Sequence, residues 1–560
     1  MEKKRNILTA ACCHQFFTLT YVFFAPMEVV LLNHNEFHYT IGSFWWFQLL
    51  LAVLAAGLMT LVTMAFPGRA RTAIASLSLG AGAAAWVQMM FMNGKMVRLT
   101  GDQMNISETE TAVNLVIWIA IVAGIFAAVL LAEHRKKKTG AWMSLAAGFL
   151  TAVQLAAFVS LLLTTDFAGD SDEHSFTRKG EFELSSGTNA VVFLMDAADG
   201  EYVHQMLNEY PELNEQLSGW TYYPNSTSKY SRTFPALTYM LSGGQSYLDI
   251  PVREYVDASF ENSDFLQNMY DAGTDIRIFT MDRAYVSTKA DGMIRNARKE
   301  SNRISDLNLP GLEKGLARIS LFKCLPYAAK KLAAYDVAVL NITAFRDRYY
   351  TWHDPTVYND FAGRNAMKTT GQYQKAFRFY HLWSAHRAAN WNDKLAVTGQ
   401  EVPSYVRLRG SFLLLEIYCD EMKKLGVYDD ALIIVAADHG ESVGDPVNLV
   451  QYRAACPLLM VKYPHSEETG QLKVSSAPIG HEDLFATITD ALGAKRSNAG
   501  SGIPIQEVPE GEERERIYYY TAENKRGTPI RMVEYVIRGD AERFENWQET
   551  GNTWEALIDW

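Results

Sequence analysis

The chain has 560 residues, 48% of them hydrophobic and 12% aromatic, and a formal net charge of -11 at pH 7. That length exceeds what one hydrophobic core usually organises, so at least two domains are expected. The acidic balance argues against a nucleic-acid binder, which needs a basic face to meet phosphates.

A helix needs about 20 apolar residues to cross the hydrocarbon core of a bilayer. Residues 7–32, 43–66, 71–92, 112–132 and 141–164 answer to that description. The third stretch is rich in Gly, Ala and Ser, which lets helices pack closely in lipid. Basic clusters precede the first span (Lys3, Lys4, Arg5), separate the second from the third (Arg69, Arg71) and separate the fourth from the fifth (Arg135, Lys136, Lys137, Lys138). The alternate loops, 33–42 and 93–111, are neutral to acidic overall despite Lys95 and Arg98. By the positive-inside rule the N-terminus is cytoplasmic, and an odd number of spans puts everything after residue 165 outside. Segment 7–32 is too long for a cleaved signal peptide and lacks a small-residue cleavage site. Residues 1–165 are therefore expected as a transmembrane domain, followed by a polar linker over 166–187.

Beyond the linker the pattern changes. Residues 189–195 (NAVVFLM) and 431–437 (ALIIVAA) are short, continuous apolar runs. Such runs suit central parallel strands covered by helices on both faces. Residues 276–280, 336–341 and 376–380 are further strand candidates, and helical patterns run over 311–334 and 403–425. The alternation predicts a doubly wound α/β domain over 188–496. Residues 516–520 and 532–538 predict antiparallel strands in a small C-terminal subdomain over 497–560. Of the five cysteines, Cys12 and Cys13 sit in an apolar run, while Cys324, Cys419 and Cys456 leave one disulfide open without fixing its pair.

In open α/β sheets, sites form just past the carboxyl ends of strands. The run 189–195 ends at Asp196, with Asp199 close behind, and the run 431–437 ends at Asp438-His439-Gly440-Glu441. Carboxylate oxygen beside imidazole nitrogen suits Zn2+ or Mn2+. Thr233 stands before Phe234-Pro235 at the head of a helical run. It reads either as an ordinary N-cap or as a hydroxyl ionised by a nearby metal, with phosphate held at the helix end. His386, with His381 as the lesser choice, and His481 are candidates for substrate contact or a second metal; His353 and Asp354 are candidates for headgroup contact.

The order Asp196, Thr233, Asp438-His439 resembles the alkaline phosphatase superfamily. Within it, the chain is similar to the sulfatase-like membrane phosphotransferases: lipoteichoic acid synthase, phosphoglycerol transferases and phosphoethanolamine transferases. The resemblance implies an alkaline phosphatase/sulfatase-like α/β outer domain on a multi-pass anchor in a bacterial cytoplasmic (inner) membrane. It also implies Asp196, Thr233, Asp438 and His439 as ligands of a catalytic Mn2+ or Zn2+, with Thr233 as nucleophile. Sulfatases carry Cys or Ser in a C/S-x-P-x-R motif, and that residue becomes formylglycine. Here Thr233 and Leu237 occupy the register, and threonine cannot yield the aldehyde. The implied reaction moves a phosphoglycerol-type headgroup from a membrane phospholipid to an outer glycan or glycolipid through phosphothreonine. A phosphoethanolamine transferase, a phosphoester hydrolase and a catalytically dead membrane scaffold are the alternatives.

Overall fold

The computed structural model describes the chain except residues 1, 35–36, 38, 94–105, 136–138, 166–173, 245–249, 300–306, 334–339, 341–342, 346–349, 351–352, 364–366, 387–388, 399–400, 442–454, 524–529 and 557–560. Lys95, Arg98, Lys136, Lys137, Lys138 and most of the strand expected over 336–341 lie outside the described residues; Leu340, within that stretch, is helical. The described residues form two compact units, one of Met1–Asp172 with Glu300–Tyr349, the other of Glu173–Lys299 with Tyr350–Trp560.

In the first unit, Arg5–Leu32, Trp45–Met64, Gly68–Met92, Glu108–His134 and Thr139–Thr164 are helices long and apolar enough to cross a membrane. The first contains a π-helical turn, Leu19–Phe24, just before Pro26. Proline has no N–H for the α-helical ladder, and the widened turn absorbs that loss. The small residues of the third helix do what their size suggests. A Cβ on Gly82 would meet the Phe16 ring at 2.7 Å, and one on Gly80 would come within 3.2 Å of the Val122 backbone. Polar side chains inside the bundle pair with one another, as apolar surroundings demand. His14 contacts Ser78 and Thr63, each at 2.9 Å, and Asn114 donates to Gln88 at 2.7 Å.

The helix Leu309–Cys324, expected as a covering layer of the α/β domain, packs in this first unit. Leu312, Leu316 and Ile319 join Phe24, Met27, Val30 and Phe44 in one core. Lys323 Nζ meets Glu28 Oε1 at 2.8 Å.

In the second unit, a seven-stranded mixed sheet is built from β1 (Thr188–Met195), β2 (Trp220–Tyr222), β3 (Thr274–Phe279), β4 (Lys375–Leu382), β5 (Leu432–Ala436), β6 (Leu459–Lys462) and β7 (Lys473–Val474). The order across the sheet is β7-β2-β6-β5-β1-β4-β3. The adjacent strands β5, β1, β4 and β3, the last at the sheet edge, run parallel, and β6 is antiparallel to both its neighbours. Alternate residues enter two separate cores. Ala190, Val192 and Leu194 face the helices Thr233–Ser242, Val252–Glu261 and Asp483–Ala491. Val191, Phe193 and Met195 face Gly200–Glu209, Asp354–Ala362 and Ser404–Lys424. A strand buried on both sides has no polar face to show, which is why these runs are continuously apolar.

Part of the stretch expected as a linker is folded. His174–Phe176 pairs with Ala297–Lys299, and Glu183–Ser185 pairs with Lys368–Thr370. Phe176 and Leu184 are buried there, so the apolar residues scattered among the charges act as anchors. At the C-terminus, β8 (Glu515–Glu523), β9 (Ile530–Arg538) and β10 (Trp547–Ala556) form an antiparallel sheet. All five cysteines are free thiols.

Candidate metal centre

The parity of the sheet decides which side chains meet. Asp196 continues the series Ala190, Val192, Leu194, and its N–H donates to the Leu382 carbonyl at 3.0 Å, prolonging the ladder beyond β1. Asp438 continues Leu432, Ile434, Ala436 in the same way. Both carboxylates therefore emerge on the face covered by the helix that Thr233 opens. One ligand atom from each of Asp196, Asp438 and His439 lies within 4.8 Å of the others, and all three residues are buried. Thr233 Oγ1 is 3.3 Å from His439 Nε2, which is 3.4 Å from Asp438 Oδ2.

Thr233 does not cap its helix. Arg232 occupies the N-cap position, no side-chain capping bond is made, and the Thr233 hydroxyl turns to His439. His439 Nδ1 lies 2.7 Å from the Gly440 carbonyl. A carbonyl can only accept, so Nδ1 carries a proton, and Nε2 is the ring atom turned to Thr233 and Asp438.

These groups fit a divalent cation. Asp196 Oδ1 and Asp438 Oδ2 are buried without a hydrogen bond among the described residues. Burial first, and then the neighbouring Asp438, pushes the Asp196 carboxyl well above the ordinary carboxylate range. Burial also acts to raise Asp438, but the imidazoles of His439 and His381 and the N–H of Ala197 hold it low. Two buried acids crowded together are what a cation would relieve. Ligands at 2.0–2.1 Å on a tetrahedral metal stand about 3.3–3.4 Å apart, which matches the spacings between Thr233, His439 and Asp438.

The backbone is strained to build this cup. Ala197 adopts a left-handed conformation, φ 56°, and donates its N–H to Asp438 Oδ1 at 3.2 Å. A non-glycine residue there costs about 1–2 kcal/mol. Ser384, φ 43°, is a second case, in the turn that follows β4. That turn is held by Asp354, whose Oδ1 accepts from Trp383 N at 2.9 Å and Ser384 N at 3.2 Å, while Oδ2 accepts from Ser411 Oγ. Asp354 is fully buried and so braces the turn that carries His386. Asp354→Ala is expected to cost about 3 kcal/mol of unfolding free energy by leaving three donors unanswered. An unchanged thermal midpoint would contradict this role.

His386 is half-buried, and its electrostatic neighbours are Asp438, His439 and His381. Burial lowers its pKa to about 4, so it is neutral at physiological pH. His481 is also neutral, lowered to about 4 by burial, and its Nε2–H donates at 3.0 Å to the carbonyl of Ala437, directly before Asp438. His353 contacts Thr356 Oγ1 at 2.8 Å and packs edge-on against Trp391. Asp199 caps the helix Gly200–Glu209 through Tyr202 N.

The sequence reading undervalued His381 and overlooked Thr280 and Asp282. His381 is fully buried. Its Nε2 lies 3.5 Å from Asp196 Oδ2, and its Nδ1 lies 3.0 Å from Thr280 Oγ1 and 3.3 Å from Asp282 Oδ2. Parity was the available signal, since His381 follows Phe377 and Phe379 on the face that Thr233 covers.

No protein-family model and no curated protein matches the sequence. Solved structures similar to the chain include a phosphonate monoester hydrolase from Silicibacter pomeroyi, at 13% identity and a TM-score of 0.39, covering 63% of this chain and 87% of that one. A protein in the alkaline phosphatase superfamily from Vibrio parahaemolyticus follows at 12% identity and a TM-score of 0.38, covering 69% and 85%. The C-terminal periplasmic domain of EcEptC from Escherichia coli is similar at 12% identity and a TM-score of 0.36, covering 61% and 94%. What the site can do follows from its own side chains.

Proposed function

We propose that the chain is a membrane-anchored phosphotransferase of the alkaline phosphatase superfamily. It would move a phosphoglycerol-type headgroup from a membrane phospholipid to an extracytoplasmic glycan or glycolipid. The observation that supports this reading is the Thr233 hydroxyl, turned away from capping and held 3.3 Å from His439 beside two buried carboxylates. Five apolar helices in the same chain supply contact with lipid, and a tethered domain meets headgroups at high effective concentration.

Asp196, Asp438, His439 and Thr233 would hold the cation, Mn2+ or Zn2+. When bound, it supplies Lewis acidity and offsets charge on the hydroxyl and the phosphate. Thr233 Oγ1 attacks phosphorus, and the bond from phosphorus to the diacylglycerol oxygen breaks. Neutral His386 can carry the proton lost by Thr233 to the departing oxygen. An acceptor hydroxyl then displaces Thr233 in a second step and restores it.

The test supplies purified protein in detergent with radiolabelled phosphatidylglycerol or phosphatidylethanolamine and follows diacylglycerol. Release from phosphatidylglycerol alone is expected. Release from phosphatidylethanolamine alone would assign the other headgroup, and release from neither would remove the lipid donor.

A further inference from the structure

We propose that the membrane unit binds an anionic phospholipid in a basic cavity at the end of the helix bundle where the chain begins. The cavity measures about 730 Å³ and lies among the first, third, fourth and fifth membrane helices. Arg5, Arg69, Arg71 and His134 line it, with Glu133 as the acid among the described lining residues. The Arg71 guanidinium is oriented by its Nε, which donates to the Phe66 carbonyl.

Membrane orientation alone explains basic residues at helix ends, but it does not require them to converge on a cavity. An anion in the hollow would meet three guanidiniums around it. Their planar forks match phosphate oxygens bidentately. The inner wall then selects the kind of phosphate. It is apolar, formed by Leu130, Ala75 and Met143, and Ala75 and Met143 belong to the bundle's own core. A free phosphate ion gains nothing from such a wall. A phospholipid sets its phosphate among the arginines and its glycerol and upper acyl carbons against the apolar side. Basic pockets between transmembrane helices are suited to anionic headgroups for this reason. The inference stands on the membrane unit and does not require the chemistry at Thr233.

The full chain in detergent is mixed with dioleoyl phosphatidylglycerol, dioleoyl phosphatidylcholine or inorganic phosphate, and retained ligand is followed by native mass spectrometry. Saturable retention of phosphatidylglycerol, little of phosphatidylcholine and no displacement by millimolar phosphate are expected. Arg69→Gln with Arg71→Gln should weaken retention by about tenfold or more. Arg135→Gln, at the same end of the bundle but outside the cavity, should leave retention intact. Asp196→Asn should also leave it intact, which separates this site from any lipid held by the catalytic unit. If the glutamine variant does not fold, Arg69→Lys with Arg71→Lys keeps the charge, loses the fork and should still weaken retention. Equal retention of both lipids, displacement by phosphate, or full retention in every folded arginine variant overturns the proposal.

Discussion

Replacing Thr233 with alanine is expected to lower headgroup release by at least about 1,000-fold, with folding, membrane insertion and most cation binding retained. The side chain is small and partly exposed, so its loss leaves no large cavity in the core. Asp196, Asp438 and His439 would remain as three candidate cation ligands. Thr233→Ser keeps the hydroxyl and should stay within about tenfold of the parent. Mass spectrometry of the quenched parent should find the headgroup phosphate on Thr233. Full turnover in the alanine variant would remove this residue from the chemistry and return it to a structural part at the helix start.

Asp196→Asn should act in opposite directions on function and on stability. Cation binding should fall about 100-fold or more, since one charged ligand is lost and its neutral replacement binds hard cations weakly. The metal-stripped chain, however, should become more stable by about 1–2 kcal/mol. In the parent, burial and Asp438 both disfavour the Asp196 charge, and an amide of the same shape removes that conflict. Metal analysis after dialysis checks the first effect, and thermal unfolding in chelator checks the second. A stripped variant less stable than the stripped parent would mean that the two carboxylates are not in conflict there.

Much of this was legible in residue patterns. Strands covered on both faces announce themselves as uninterrupted apolar runs, and β1 and β5 did so. Their ends, Asp196 and Asp438-His439, were therefore visible as a converging pair. The five long apolar helices were visible for the same reason. Other strands were harder to see: β2 and β7 are short, and β10 (WQETGNTWEA), in the C-terminal sheet, is mostly polar. The helix Leu309–Cys324 was recognisable as a helix, but an amphipathic period does not say which partner its apolar side will meet. His381 ranked below His386 because it stands one residue beyond an apolar run. The strand continues to Leu382, and that extension turns an apparent loop histidine into a buried neighbour of Asp196.

The excursion over Glu300–Tyr349 bears on whether a protease could shed the second unit. A single cut in the stretch 166–173 would sever the covalent link from the fifth membrane helix. The remaining fragment would still carry Leu309–Cys324, which is seated in the first unit by Leu312, Leu316, Ile319 and the Lys323–Glu28 pair. A soluble form would therefore require that segment to be pulled free or cut away on both sides.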